Sequence, residues 1–208
     1  MRLAILLLCL SSLFVEAQSL EELNDRGVQL IDEERYQEAL QIFEKIVTQS
    51  PDNSFFRYNR AIANANLKNY FDALIDFQIL FETVPSPNYA FQTGNMYEQL
   101  DSMQLALVFY DRAIALDQES FLYFFKRGTV QLKLMNYQAA LQDFNASIEL
   151  NPEYDNAWHN RGIAQYKLGR KVQGCEDWCQ ALLKGKKVSA THLEKNCKRY
   201  PEPCVLKK

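Results

Sequence analysis

The chain has 208 residues, of which 48% are hydrophobic and 24% are charged, and this composition excludes a disordered or collagen-like protein. A formal net charge of -3 gives no general attraction for phosphate backbones, so nucleic acid is not an expected partner. From Leu183 onward, eight Lys and Arg side chains face two Glu side chains, so an acidic body is followed by a basic tail.

The first segment, residues 1–17, has the pattern of a signal peptide. Arg2 supplies a positive charge, residues 3–15 are apolar or small, and Val15-Glu16-Ala17 has small residues where signal peptidase cleaves. The apolar run is shorter than the roughly 20 residues that span a bilayer, so we expect cleavage and an exported chain that begins at Gln18. Lipidation of Cys9 is disfavoured because bulky leucines precede it. The leader resembles those of exported Bacteroidetes proteins.

Three columns of residues recur with a period of 33 or 34 residues through the rest of the chain. A small residue is followed after 12 residues by a second small residue, and after four more by an aromatic one. Small residues let two helices approach closely, and we expect the aromatic to fill the space between that helix pair and the next. The columns are Gly27, Ala61, Gly94, Gly128 and Gly162; Ala39, Ala73, Ala106, Ala140 and Gly174; and Phe43, Phe77, Tyr110, Phe144 and Trp178.

These columns resemble the tetratricopeptide repeat, most clearly in Trp158-His159-Asn160-Arg161-Gly162 followed by Ala181. The resemblance implies an all-α fold, a right-handed superhelix (α-solenoid) of about five helix pairs within residues 18–187. A C-terminal capping helix and basic tail are expected at 188–208. The expected repeats lie at about 20–53, 54–86, 87–120, 121–154 and 155–187.

The capping helix is expected from Ser189, as its N-cap, to Arg199, because a repeat array needs a polar helix over its last apolar surface. This helix should run antiparallel to the one before it, which brings its end near the start of that helix. All mature cysteines belong to this region, and an exported chain favours their oxidation. The antiparallel run predicts the bonds Cys175–Cys197 and Cys179–Cys204. A zinc site, a redox pair and free thiols are the alternatives.

Nothing in the sequence predicts an enzyme. His159 and His192 are its two histidines, and neither belongs to a metal-binding or catalytic motif. The Cys-x-x-x-Cys spacing of Cys175 and Cys179 on one helix also disfavours zinc and redox chemistry. We therefore expect no catalytic activity, no cofactor and no metal.

In tetratricopeptide proteins the first helix of each pair lines a concave groove, and the resemblance implies that this chain is built in the same way. Rings and amide side chains suit peptide binding, because rings supply contact area and amides pair with an exposed backbone. Tyr58, Phe91 and Phe125 are expected to supply most of the affinity and not to be needed for folding. The next helical turn adds Asn66, Glu98, Gln99, Lys133 and Lys167. The expected groove residues are Asn24, Tyr58, Phe91, Asn95, Phe125, His159 and Tyr166.

The sequence thus predicts an exported, non-enzymatic scaffold that binds a protein or peptide in this groove. Some relatives hold a C-terminal carboxylate with a set of Lys and Asn side chains. This set is missing here, because the repeat position occupied by Asn24, Tyr58, Phe91, Phe125 and His159 contains no lysine. The alternative is a structural or assembly factor of a cell-envelope or secretion complex. Such a factor would act through the convex face and the basic tail.

Overall fold

A computed structural model describes residues 19–197 and Cys204, and within these residues the chain forms eleven α-helices and no strand. The all-α class predicted from the sequence is confirmed. The contacts divide the chain into two compact units, residues 1–76 and 77–208, with the border inside the fourth helix. The leader, with its expected cleavage site, lies outside the described residues, as does the tail after 197 except for Cys204.

The helices alternate between a first and a second helix of each pair. In the described residues of unit 1, consecutive helices α1, α2 and α3 pack against each other, and in unit 2 α5 to α11 do so in chain order. No helix among the residues that the structure describes is long and apolar enough to cross a membrane. The helices are α1 (Leu20–Asp32), α2 (Tyr36–Gln49), α3 (Ser54–Asn66), α4 (Tyr70–Thr83), α5 (Pro87–Gln99), α6 (Met103–Leu116), α7 (Phe121–Lys133), α8 (Tyr137–Leu150), α9 (Asp155–Lys167), α10 (Lys171–Leu183) and α11 (Val188–Asn196).

The turn inside each helix pair contains one residue with a left-handed backbone. The amide of the following residue closes the turn, as where Asn136 N donates to Gln131 O at 2.9 Å. Glycine is the residue that adopts this backbone without strain, yet it occupies only the last of these turns. The left-handed residues are Glu34 (φ 59°), Lys68 (φ 64°), Asp101 (φ 57°), Met135 (φ 60°) and Gly169 (φ 83°).

The small first column and the aromatic column meet inside the same helix pair. A Cβ atom added to Gly27 would lie 2.5 Å from the ring of Phe43, and one added to Gly162 would lie 2.7 Å from the ring of Trp178. The ring therefore packs directly on the backbone of the first helix, which leaves no room for a side chain. The spacing of the columns did not show this contact within a pair.

A buried Asp-Arg ion pair recurs with the same period. Its Arg stands one residue before the small first column, and its Asp stands one residue before the aromatic column. The Asp side chains are 2 to 6% exposed, so the Arg partners replace the water that an ionised carboxylate would otherwise need. In the third pair the same positions hold Thr93 and Phe109, which are both buried and uncharged, so this pair lacks the ion pair. The ion pairs are Arg60–Asp76 (2.7 Å), Arg127–Asp143 (2.6 Å) and Arg161–Asp177 (2.7 Å).

The last helix, α11, covers the apolar end of α10, with Leu193 packed against Trp178. The prediction that Ser189 caps this helix is wrong. The helix begins one residue earlier, so Ser189 lies inside it, buried, with its hydroxyl 2.8 Å from His159 Nδ1. Lys187 occupies the N-cap position and makes no capping bond.

Two disulfide bonds fasten the end of unit 2 to α10. They join Cys175 to Cys197, with Cα atoms 5.9 Å apart, and Cys179 to Cys204, with Cα atoms 5.5 Å apart. These are the pairings that the antiparallel run of α11 predicts. Cys175 and Cys197 are buried beside Trp178, so this bond is also part of the hydrophobic core.

Candidate protein-binding surface

The first helices of unit 2, α5, α7 and α9, lie side by side. Lys126 and Lys133 of α7 both reach the carboxylate of Glu98 on α5, at 3.2 and 2.7 Å. Asn160 of α9 donates a longer bond, 3.4 Å, to Thr129 of α7. We call the surface formed by α5, α7 and α9 the first-helix surface; it contains the groove residues predicted in this unit.

In unit 1, the predicted groove residues are Asn24 on α1 and Tyr58 on α3, and both are partly buried. Asn59 Nδ2 donates a 2.8 Å hydrogen bond to Asn24 Oδ1, which ties α3 to α1. Asn24 therefore helps to hold two first helices together, and part of its hydrogen-bonding capacity is already used.

Phe91 and Phe125 belong to the packing of unit 2 more than the sequence suggested. The Phe91 ring lies 4.9 Å from Tyr123 and packs against the core around Tyr110. The Phe125 ring lies 4.9 Å from Tyr154 and packs against the core around Phe144. The prediction that folding does not need these two rings is therefore wrong. Each ring is only partly buried, so part of it still contributes to the first-helix surface.

His159 is 6% exposed because α11 covers it, so it is not available to a partner and is removed from the predicted groove. Its Nδ1 lies 2.8 Å from Ser189 Oγ, and its ring is 4.9 Å from that of His192. Burial, together with the charges of His192 and Lys186, lowers the pKa of His159 to about 4. His159 is therefore neutral at pH 7 and contributes to the docking of α11.

Tyr166 lies at the edge of a pocket between α9, α10 and α11. Its ring is 5.4 Å from that of Trp178, and the pocket encloses about 190 Å³. Among the described residues, the walls combine aromatic and aliphatic surface with a lysine, an imidazole and an amide, and include no carboxylate. The lining residues are Ile163, Tyr166, Lys167, Trp178, His192 and Asn196.

Asn95, Glu98 and Tyr110 form a buried polar cluster beneath the lysines of α7. The Tyr110 hydroxyl lies 2.9 Å from Asn95 Oδ1 and donates to Glu98 Oε2 at 3.0 Å. Burial raises the pKa of Glu98, but the bond from Lys133 and the charge of Lys126 outweigh it, so the pKa lies below its usual value. Burial and the neighbouring Glu98 raise the pKa of Tyr110, so the phenol stays protonated.

Sequence reasoning missed Lys126, the second lysine on Glu98, because it follows the predicted groove residue Phe125 and is not itself at a predicted groove position. Its separation of 28 residues from Glu98 does not match the repeat period and gives no signal. In the part of the chain that the structure describes, no group of His, Cys, Asp and Glu side chains could hold a metal ion.

Comparison with known proteins identifies the fold and one repeat. Residues 136–169 match the family model described as a TPR repeat. A solved structure of MamA protein aligns with a TM-score of 0.73 at 19% identity, over 82% of this chain and 94% of that one. One segment of the chain therefore matches a TPR repeat, and the chain shares the fold of this solved structure.

Two further solved structures show the same fold. MamA from Desulfovibrio magneticus RS-1 aligns with a TM-score of 0.75 at 14% identity, over 82% of this chain and 97% of that one. YrrB, described as a TPR protein with an unusual peptide-binding site, aligns with a TM-score of 0.71 at 18% identity, over 85% of this chain and 92% of that one. No curated protein sequence matches significantly.

Proposed function

We propose that this chain is a tetratricopeptide-repeat protein and an exported scaffold without catalytic activity, and that its first-helix surface binds a segment of another protein. One observation carries the proposal. The surface combines partly buried rings, such as Phe91 and Tyr166, with amides such as Asn160 and with lysine side chains. Rings provide contact area at low entropy cost, and amides and lysines pair with the polar groups of a peptide. YrrB, which shares the fold, is described as having a peptide-binding site.

Export is supported by two features at opposite ends of the chain. The first 17 residues have the charge, apolar run and small residues of a signal peptide. Both disulfides connect cysteines of the mature chain, and disulfides persist in oxidising compartments outside the cytosol.

The proposal is tested by blocking the first-helix surface with a bulky side chain. Thr129 lies partly exposed on α7, so Thr129→Tyr places a ring in the middle of the surface. Gln142→Tyr is the matched control, because Gln142 is exposed on α8, a second helix. Mature wild-type protein and both variants are used to capture partners from an extract of the native compartment. We expect Thr129→Tyr to lose the captured protein and Gln142→Tyr to keep it.

A second candidate function, assembly through the second helices and the basic tail, is favoured by exposed apolar side chains. In unit 1, Phe71 is 65% exposed and Ile75 is 42% exposed on α4. In unit 2, Leu105 and Val108 on α6 are 46 and 43% exposed. If Leu105→Ser or the paired change Lys207→Glu and Lys208→Glu abolishes capture while Thr129→Tyr does not, this function replaces the first.

A further inference from the structure

The two helix layers of unit 2 carry opposite charges, although the whole chain has a net charge of -3. The first helices α5, α7 and α9 contain five cations and two anions, a net charge of +3. The second helices α6, α8 and α10 contain two cations and five anions, a net charge of -3. The first helices of unit 2 are therefore more basic than its second helices, so their surface attracts negative charge more than the opposite layer does.

The cations that remain available on this surface are lysines. Arg127 and Arg161 point to the second helices, where each is paired with a buried Asp. Lys126 and Lys133 share the single carboxylate of Glu98, and their side chains are 31 and 49% exposed. Lys167 is exposed on α9, one repeat after Lys133. Lys126 and Lys133 thus share one buried carboxylate, and Lys167 and Asp155 are the remaining charged side chains of these helices outside the Asp-Arg pairs.

Lys167 also lines the 190 Å³ pocket, next to Ile163 and Tyr166. The pocket has room for one aliphatic or aromatic side chain, whose buried surface would add to the attraction of the lysines. The apolar walls next to Lys167 suit an apolar residue of the partner whose neighbour in the partner's sequence is acidic.

We propose that the partner segment is acidic, with carboxylates on Lys126, Lys133 and Lys167 and an apolar side chain in the pocket between α9, α10 and α11. This inference rests on the proposed function and names the chemistry of the partner. It also assigns a role to Glu98, which competes with the ligand for the two lysines of α7. Removing the charge of Glu98 should therefore tighten binding, whereas removing a lysine weakens it.

The test uses fluorescence anisotropy of the mature, oxidised protein with a labelled peptide of sequence DEDDLDEDDL, amidated at its C terminus. We expect binding that weakens as NaCl is raised, because salt screens exposed charges. The uncharged peptide NQNNLNQNNL should bind at least about tenfold more weakly, since several charge pairs are lost. DEDDSDEDDS should also bind more weakly, because a serine leaves the apolar pocket unfilled.

Variants of the protein measure the contributions of the lysines and of the apolar pocket to binding separately. Lys133→Gln and Lys167→Gln should each weaken binding of DEDDLDEDDL about three- to tenfold, and Glu98→Gln should tighten it. Lys45→Gln, the same change at an exposed residue of α2 in unit 1, should have no effect. Ile163→Phe should reduce the advantage of the Leu peptide over the Ser peptide. Thermal melting of each variant shows whether it is folded.

Three outcomes would overturn the inference: no binding of the acidic peptide, equal binding of the Leu and Ser peptides, or weaker binding by Glu98→Gln. A heparin fragment that binds as tightly as the peptide would show a general polyanion site instead. The proposed function is tested separately, by capture of the native partner. If Thr129→Tyr loses that partner while the acidic peptide does not bind, the scaffold function stands and the acidic partner is wrong.

Discussion

Met135 has a left-handed backbone at φ 60° in the turn between α7 and α8, and its side chain is 71% exposed. Glycine lacks the Cβ atom that makes this backbone cost an L-residue roughly 1 kcal/mol. We expect Met135→Gly to raise the free energy of unfolding in urea by about 0.5–1 kcal/mol, because an exposed side chain loses little packing. Gly169→Ala, at φ 83° in the equivalent turn, is the reverse control and should lower it by a similar amount.

We predict that Arg127 is needed for stability because it pairs with the buried carboxylate of Asp143. Arg127→Thr would leave Asp143, whose side chain is 6% exposed, without its partner at 2.6 Å. A buried charge without a partner costs about 3 kcal/mol, so the free energy of unfolding should fall by about that amount. The double change Arg127→Thr and Asp143→Phe copies Thr93 and Phe109 of the third pair and should recover most of the loss. A double variant as unstable as the single one would contradict this explanation.

At the residue scale, the sequence revealed the positions that need a small side chain. Gly27 and Gly162 belong to the column of small residues because the ring of each pair fills the space of a Cβ atom. The left-handed turns were not predicted, since Lys68 and Met135 occupy them where glycine is the usual signal. The hydrogen bonds that close the turn come from the backbone, so the side chain carries little information there.

At the scale of the element, the docking of α11 should depend on pH through His159. The pKa of His159 falls from 6.5 in the unfolded chain to about 4 in the folded one. Between these values the unfolded state binds more protons, so the stabilising contribution is complete above pH 6.5 and is lost as the pH falls toward 4. From pH 7 to pH 5 this group should reduce the free energy of unfolding by about 2 kcal/mol.

His159→Asn isolates this contribution, because the amide keeps a polar atom near the position of Nδ1 beside Ser189. We expect the difference in unfolding free energy between pH 7 and pH 5 to shrink by about 2 kcal/mol in this variant. The charged groups that face the ring are His192, Lys186 and Asp155. His192→Asn is the control and should retain most of the difference. An unchanged difference in His159→Asn would assign the pH dependence to carboxylates instead.

Removing the bond between α10 and α11 should loosen the end of unit 2. The bond Cys175–Cys197 joins residues that are 22 apart, and closing such a loop stabilises a protein by about 3 kcal/mol in the chain-entropy model. The paired change Cys175→Ala and Cys197→Ala should therefore accelerate hydrogen exchange of the amides of α11, while those of α5 remain protected. Equal protection of α11 in both proteins would show that packing on Trp178 is sufficient.

The existence of a final helix could be predicted, but its contacts could not. A repeat array requires a cover for its last apolar surface, and the antiparallel run placed Cys197 beside Cys175. The sequence did not show that the cover also buries His159, because nothing in a periodic pattern tells which side of the last pair a non-repeated helix will occupy. Ser189 was interpreted as a cap because the polar residue and the helix start are one position apart.

For the whole molecule, export predicts a defined covalent form. Protein isolated from its native compartment should begin at Gln18 and contain no free thiol, since all four mature cysteines are paired. Intact mass before and after alkylation without reductant measures both properties. A lipidated Cys9, or alkylation of the four mature cysteines, would contradict the proposed compartment.

The candidate surface illustrates how far sequence periodicity extends over the whole molecule. Equivalent positions in neighbouring repeats, such as Lys133 and Lys167, fall on neighbouring first helices, which the period predicts. Contacts with unequal separations are not predicted. Phe91 meets Tyr123 and Phe125 meets Tyr154 across 32 and 29 residues, so rings that seemed surplus in the pattern became part of the core.

The bond between Cys179 and Cys204 also determines how the protein would carry a mechanical load. Tension applied at the C terminus would pass through this bond directly into α10, so α11 would lie outside the force-bearing path. The 25 residue steps that the bond bridges would stay hidden during extension. Reduction of both disulfides would release about 80–90 Å of contour length at the extended reach of a chain, a step large enough for optical tweezers to resolve.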